Sequence, residues 1–187
     1  FDSFNYSMTS TATGGFATES GSIMTFHSPA EEYVCTIFCF LSGINFTLLY
    51  TSVSGLKIGQ LFRNSEFRFY SAMVACFTLF IMLELIFNRS YEVEHAFRSS
   101  VFQVVSFITT TGLFSDDAAK WPHVTWVVLA ACMFFGGSSG STSGGIKSIR
   151  GVMLLKVVKN EFRQILHPNA VLPMKIDGYN VQMSKRV

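Results

Sequence analysis

Charge is scarce in this chain. Only 14% of the 187 residues are Asp, Glu, Lys or Arg, well below the share of about 25% in soluble domains. Cysteine gives no framework either. Cys35, Cys39, Cys76 and Cys132 all sit in apolar runs, and no His lies close enough to complete a zinc site. Cys35 and Cys39 fall on one helical face, which suits neither a disulfide nor a metal, so all four read as buried small hydrophobes. The four His (His27, His95, His123, His167) are scattered in loops or near helix ends, with no partner for a catalytic triad. These absences exclude a disulfide scaffold and a metalloenzyme, and no basic tract with interleaved aromatics suggests nucleic acid as a partner.

Apolar residues fill the space. Hydrophobic residues make up 49% of the chain, twenty of them Phe, and mean hydropathy is +0.37. Tyr33–Val53 and Phe67–Phe87 are long enough to cross a bilayer, which takes about 20 residues. Gly43 and Asn45 interrupt the first, and the second carries Glu84, either an intramembrane functional carboxylate or an interfacial one. The expected fold is therefore an all-α membrane protein, with the lipid bilayer as its first partner. The chain opens on Phe1 and reads as a fragment. Trp121 and Trp126 read as an interfacial aromatic belt. The sequons at Asn5, Asn45 and Asn88 are discounted as glycosylation sites.

Basic residues are lopsided. Eleven of the fourteen Lys and Arg lie in Ser54–Arg68 or from Lys147 onward, against Arg89, Arg98 and Lys120 elsewhere. The positive-inside rule places Ser54–Glu66 and Lys147–Val187 on the cytoplasmic side. The opposite loops hold Glu19, Glu31, Glu32, Glu92, Glu94, Asp116 and Asp117, an acidic mouth that attracts cations.

The densest pattern is Gly136, Gly137, Ser138, Ser139, Gly140, Ser141, Thr142, Ser143, Gly144 and Gly145. Each helical glycine costs about 1 kcal/mol relative to alanine, so the run from Val124 must break here before a basic helix resumes at Ile146–Leu166. Non-helical backbone at membrane depth is tolerated where it is buried in protein or lines a water-filled path, which makes this loop a candidate gate. Two enzyme patterns overlap it. Gly136–Gly140 fits G-x-S-x-G with Ser138 as nucleophile, giving a membrane-bound serine hydrolase as the alternative function. Gly140–Ser148 resembles a P-loop, but Ile146 stands where Lys is required and Lys147 comes one place late.

A repeat is also legible. A slide of 98 residues puts Gly14 on Gly112, Thr13 on Thr111 and Phe16 on Phe114. Each turn follows a short helix-compatible piece (Phe1–Gly15, Ala96–Phe107) and precedes an apolar helix with a central glycine. A half-membrane helix points its negative end inward, and a Thr/Gly turn beyond it can present carbonyls to a cation. Ala12, Thr13, Gly14 and Gly15, with Thr110, Thr111, Gly112 and Leu113, are the expected filter residues, with K⁺ at Thr13, Gly14, Thr111 and Gly112.

These motifs resemble the membrane subunit of the Trk/Ktr/HKT superfamily of potassium transporters. Thr11–Phe16 looks like the filter of that family's second repeat and Phe107–Leu113 like the third. Gly136–Arg150 is similar to its intramembrane loop, and His167–Pro173 resembles the connector to the fourth repeat. The resemblance implies repeated outer helix–pore helix–filter–inner helix units of the potassium-channel-like kind. Residues 1–66 would be the pore helix, filter and inner helix of the second repeat, 67–166 the third repeat, and 167–187 the connector. It further implies the remaining repeats in the same polypeptide, a homodimer, a cytosolic nucleotide-binding regulatory ring of the TrkA/KtrA kind, a place in the cell (inner) membrane, and K⁺ as transported ion without an enzymatic cofactor. Glycine at both Gly14 and Gly112 is what the family's potassium-selective members show.

Overall fold

The computed structural model describes all residues except 27, 57–58, 118–119, 167–173, 178 and 182–187. His27, Lys57, the His167–Pro173 connector, Lys185 and Arg186 therefore lie outside the described residues. Eight α-helices are present among the described residues: α1 (Asp2–Ala12), α2 (Pro29–Ser42), α3 (Phe46–Ser54), α4 (Gly59–Arg63), α5 (Ser65–Arg89), α6 (Val93–Ile108), α7 (His123–Phe134) and α8 (Ser148–Leu166). A 3-10 helix covers Ser22–Phe26. The fold is all-α apart from one short antiparallel hairpin, β1 (Met174–Ile176) with β2 (Tyr179–Val181), inside the segment expected to be a plain loop.

α5 is the one described helix long and apolar enough to cross a membrane by itself. Asn64 starts it, its side chain accepting from the Glu66 and Phe67 amides. Such a cap is worth about 1 kcal/mol. Phe67, Tyr70, Val74, Thr78, Ile81 and Leu85 recur at helical spacing and bury one face, while Leu79, Phe80, Leu83 and Phe87 point outward. The buried stripe packs against α6 and α7 through Val104, Val105, Ile108, Leu129 and Cys132. α6 is too short to span and is enclosed on most sides, with Ala96, Gln103, Val104 and Ile108 fully buried.

The expected span Tyr33–Val53 is instead two helices bent by 102°. Gly43 lies where any Cβ would fall 2.4 Å from the Tyr70 hydroxyl and 2.9 Å from Thr109 Cγ2, so the inner helix turns where it meets α5 and the end of α6. Asn45, which read as a mere interruption, caps the new helix by accepting from Thr47 and Leu48 amides. α2 also begins earlier than expected, with Pro29 at its first turn inside the supposed polar loop.

Other expectations need correction. Cys39 and Cys132 are buried, but Cys35 is half-buried and Cys76 is exposed on the outer face of α5. Trp121 is not an interfacial residue: it is 2% exposed and its indole N–H donates to Asp116 Oδ2 at 3.1 Å. Trp126, at 48%, does face outward.

Candidate functional site: two Thr/Gly turns against a Gly/Ser loop

α1 and α6 end alike. Thr13 caps α1 in the left-handed region (φ 53°), and Thr110 adopts the same conformation (φ 56°) just past α6. Two residues on, Gly15 (φ 75°) and Gly112 (φ 78°) match again. Thr9 Oγ1 donates to the Phe16 carbonyl at 2.9 Å, and Ser106 Oγ to the Leu113 carbonyl at 2.8 Å. The Gly14 amide reaches Thr9 O, as the Thr111 amide reaches Ser106 O. All these pairs lie 97 residues apart, as Thr13 and Thr110 do, which corrects the 98-residue slide. Gly15, not Gly14, is the partner of Gly112, and Thr13 matches Thr110 rather than Thr111. Consecutive glycines at 14 and 15 hid the register; only backbone conformation separates them.

The two turns approach closely. A Cβ on Gly15 would lie 2.4 Å from the Thr111 carbonyl oxygen, so only glycine fits there. Among the described residues no donor pairs with the carbonyls of Thr13, Gly14, Gly15, Thr110, Thr111 or Gly112. The carbonyls of Ala12 and Leu113 are engaged, by Thr13 Oγ1 at 2.7 Å and Ser106 Oγ. Of the residues whose carbonyls are unpaired, only Thr111 is buried, while Gly14 and Gly112 are exposed, so these carbonyls are open to water or to a partly dehydrated cation. Neither α1 nor α6 has a basic residue in its last turn, so the negative ends of both dipoles are uncompensated by side chains there.

The turn after α6 is braced. Asp116 Oδ2 accepts from the Tyr91 hydroxyl at 3.2 Å and from Trp121, and Gln103 Nε2 donates to the Asp116 carbonyl at 3.4 Å. Burial, then the neighbouring Asp116 charge, pushes the Tyr91 hydroxyl pKa up, which keeps it a donor. The Phe114 amide donates to Ser22 Oγ at 3.1 Å, joining the turn after α6 to the 3-10 helix Ser22–Phe26. Arg98 on α6 is 9% exposed and bridges Glu32 on α2 at 3.0 Å and Glu94 at 3.1 Å. It is therefore an interhelix pair rather than a loop charge. Glu84 holds the Asn88 side-chain amide.

Beneath the turns lies the Gly/Ser loop, and it bonds to both. Thr13 Oγ1 donates to Thr142 O at 3.1 Å, and the Gly144 amide donates to Thr110 Oγ1 at 2.8 Å. Phe135 and Ile146 form a parallel bridge that closes the loop's neck. Inside it, Ser143 Oγ accepts from the Gly137 amide at 2.8 Å, Ser141 Oγ donates to Ser138 O at 2.6 Å, and Ser148 Oγ donates to Gly136 O at 2.9 Å. The hydroxyls thus replace the missing helical bonds. The Ser138 amide donates to Gly43 O at 2.8 Å, so the two broken inner helices touch at their breaks.

Two charged side chains meet the loop. Lys147 Nζ folds back onto the carbonyls of Ser141, at 3.3 Å, and Ser143. Its ammonium serves the loop's own backbone, not a phosphate. Glu66, which the sequence reading left in a connector, accepts from the Ser139 amide and, at 3.1 Å, from Ser139 Oγ. Its signal was faint: an acidic residue in the first turn of a capped helix is ordinarily explained by the dipole alone. Ser138 Oγ is buried without a hydrogen-bond partner among the described residues, so the base a serine nucleophile requires is not beside it.

The cation transport protein family model TrkH matches residues 1–185. The Trk system potassium uptake protein TrkH of Escherichia coli K12 is 36% identical over 177 residues, covering 94% of this chain and 37% of that protein. TrkG of the same strain is also 36% identical, over 178 residues. The crystal structure of the potassium transporter TrkH from Vibrio parahaemolyticus superposes with a TM-score of 0.89 at 33% identity, covering 95% of this chain and 38% of that one. The chain thus spans a little over a third of the length of the relatives it matches. Fold, repeat and loop all lie within the matched region, and the chain belongs to the TrkH family of cation transport proteins.

Proposed function

We propose that this chain forms two of the filter walls and the gate of a potassium uptake pore, and that it is not an enzyme. The observation that carries the reading is the set of unpaired carbonyls on two turns of matched conformation, with the Gly/Ser loop bonded to the underside of both. Potassium would exchange water for carbonyls of Thr13, Gly14, Gly15, Thr110, Thr111 and Gly112, with Ala12 and Leu113 flanking them. Glycine at both Gly15 and Gly112 favours potassium over sodium. The relatives' names, which specify potassium uptake, support the same ion.

The loop from Gly136 to Gly145 would close the path below the filter. Its hydroxyls and amides have several alternative partners, so a second arrangement is accessible at small cost. The remaining repeats of the polypeptide would complete the filter, and outward apolar side chains such as Leu83, Phe87, Val127 and Phe134 would meet them or lipid. A homodimer, a cytosolic nucleotide-binding ring acting from the Lys147–Val187 side, and residence in the inner membrane complete the reading.

Potassium flux into liposomes tests it, using the full-length protein with and without Ser138–Ser143. The deletion removes the obstruction and should raise flux and free it from the regulatory partner. A well-folded deletion protein whose flux falls, or stays regulated, would leave the loop a structural break only.

A further inference from the structure

Glu66 is 5% exposed at the start of a membrane helix, and ion coordination gives it no task. Burying a carboxylate is costly unless hydrogen bonds and charge compensate it. Here the hydrogen bonds come from the loop, through Ser139 N–H and Ser139 Oγ, and the positive end of the α5 dipole adds to them. The gain is selective, since these bonds exist only while the loop holds its present arrangement.

The same helix start is held from a second direction. Asp177, in the turn between β1 and β2, accepts from the Ser65 amide at 3.1 Å, from the Ser65 hydroxyl, and from Asn64 Nδ2 at 3.2 Å. Asn64 Oδ1 in turn caps the Glu66 and Phe67 amides at 3.0 Å. The hairpin beyond α8 and the loop before α8 are thus joined through Asn64, Ser65 and Glu66, the cap and first two residues of α5.

We infer that the start of α5 is a latch, with Glu66 a positioning residue that holds the Gly/Ser loop closed and Asp177 setting the helix start that carries it. The inference rests on the loop being the gate. Displacing the hairpin frees the Asn64 amide and Ser65, loosens the cap, and shifts Glu66 away from Ser139. A movement on the basic, cytoplasm-facing side is thereby delivered to the loop without passing along α8.

The test uses the full-length protein in two readouts, hydrogen exchange of the loop amides and potassium flux in liposomes without the regulatory ring. Glu66→Ala should lower protection across residues 138–144 by about tenfold, the effect of losing a charge-assisted hydrogen bond, and should raise flux. Glu66→Gln should restore both, because its amide oxygen still accepts from Ser139 N–H and its amine donates to Ser139 Oγ. Asp177→Ala should act in the same direction, and the double variant should show less than the sum of the two single effects. Ser139→Ala, which leaves the Glu66 side chain in place, guards against a folding defect and should lower protection partially. Unchanged loop protection in Glu66→Ala, or strictly additive Glu66 and Asp177 effects, would overturn the latch. Lowered protection with wild-type flux would instead overturn the gate on which it rests.

Discussion

The turns that end α1 and α6 share their backbone geometry, while the broken helices that follow them do not. Thr13 and Thr110, Gly15 and Gly112, and the Thr9 and Ser106 braces repeat pair by pair. Past the turns, α2 passes to α3 across Gly43–Asn45 with a 102° bend, whereas α7 reaches α8 only after the long stretch from Phe135 to Lys147. The short break carries its own cap, Asn45 on α3, and bonds to the long one, with Gly43 O accepting from the Ser138 amide and the Phe46 amide donating to Gly140 O at 3.3 Å. The long break depends on outsiders: Glu66, Gly43, Thr13 and Thr110 all bond to it. Under the proposed filter, carbonyl placement around one ion would tolerate little variation, which would account for the likeness of the turns. A break held by groups on other helices can be released by moving them, which is what a gate requires.

The largest expected effect breaks the likeness of the turns. Gly15→Ala and Gly112→Ala each force a side chain into the left-handed region, at about 1–3 kcal/mol of strain, and at Gly15 the Cβ also meets Thr111 O. Potassium uptake by the full-length protein should collapse in both. Gly14→Ala should be far milder, because its φ is not positive and the nearest group is the Phe16 ring at 3.4 Å. Strong loss at Gly14 with a silent Gly15 would restore the 98-residue register.

A smaller effect sharpens the contrast between the breaks. A Cβ on Gly137 would lie 2.6 Å from Gly43 O and 3.1 Å from Gly43 Cα, both backbone atoms that cannot swing aside. Gly137→Ala should wedge the two inner helices apart and lower stability by about 1–3 kcal/mol, read as a drop in the thermal unfolding midpoint of the purified full-length protein. Gly59→Ala, with nothing within 4 Å of its Cβ, is the control and should leave that midpoint unchanged. Equal midpoints for the two variants would mean the breaks do not touch.

Much of this architecture could be read from residue order, and the misses have physical causes. The α5 span, the short helix α6 and the break at the Gly/Ser loop follow from apolar length and glycine cost, which are local. The bend at Gly43 does not: hydropathy over Tyr33–Val53 is indifferent to the Tyr70 hydroxyl that makes glycine necessary there. The filter register slipped because two adjacent glycines fit either alignment, and φ alone decides. Trp121 read as an interfacial residue because its partner, Asp116, is apparent only once the chain folds back. Glu66 was invisible for the same reason: its partner Ser139 lies on the far side of a whole repeat.

The smallest expected effect concerns the braces. Thr9 Oγ1 and Ser106 Oγ make the same bond to the carbonyl seven residues on, and that bond fixes the curvature of each turn. Their surroundings differ. Leu113 is fully buried, whereas Phe16 is 76% exposed in this chain. Ser106→Ala leaves the buried Leu113 carbonyl with no replacement donor, a cost of about 1–3 kcal/mol. Thr9→Val keeps the shape, and water can reach the Phe16 carbonyl, so the loss is only the net value of a hydrogen bond, about 0.5–1.5 kcal/mol. Both should relax potassium-over-sodium uptake while preserving total flux, and Ser106→Ala should do so more. The ratio of rubidium to sodium uptake in liposomes measures this. Equal ratios in the two variants would make the turns energetically as well as geometrically equivalent, and a larger effect at Thr9 would show that the exposed Phe16 side of the filter, not the buried one, sets selectivity.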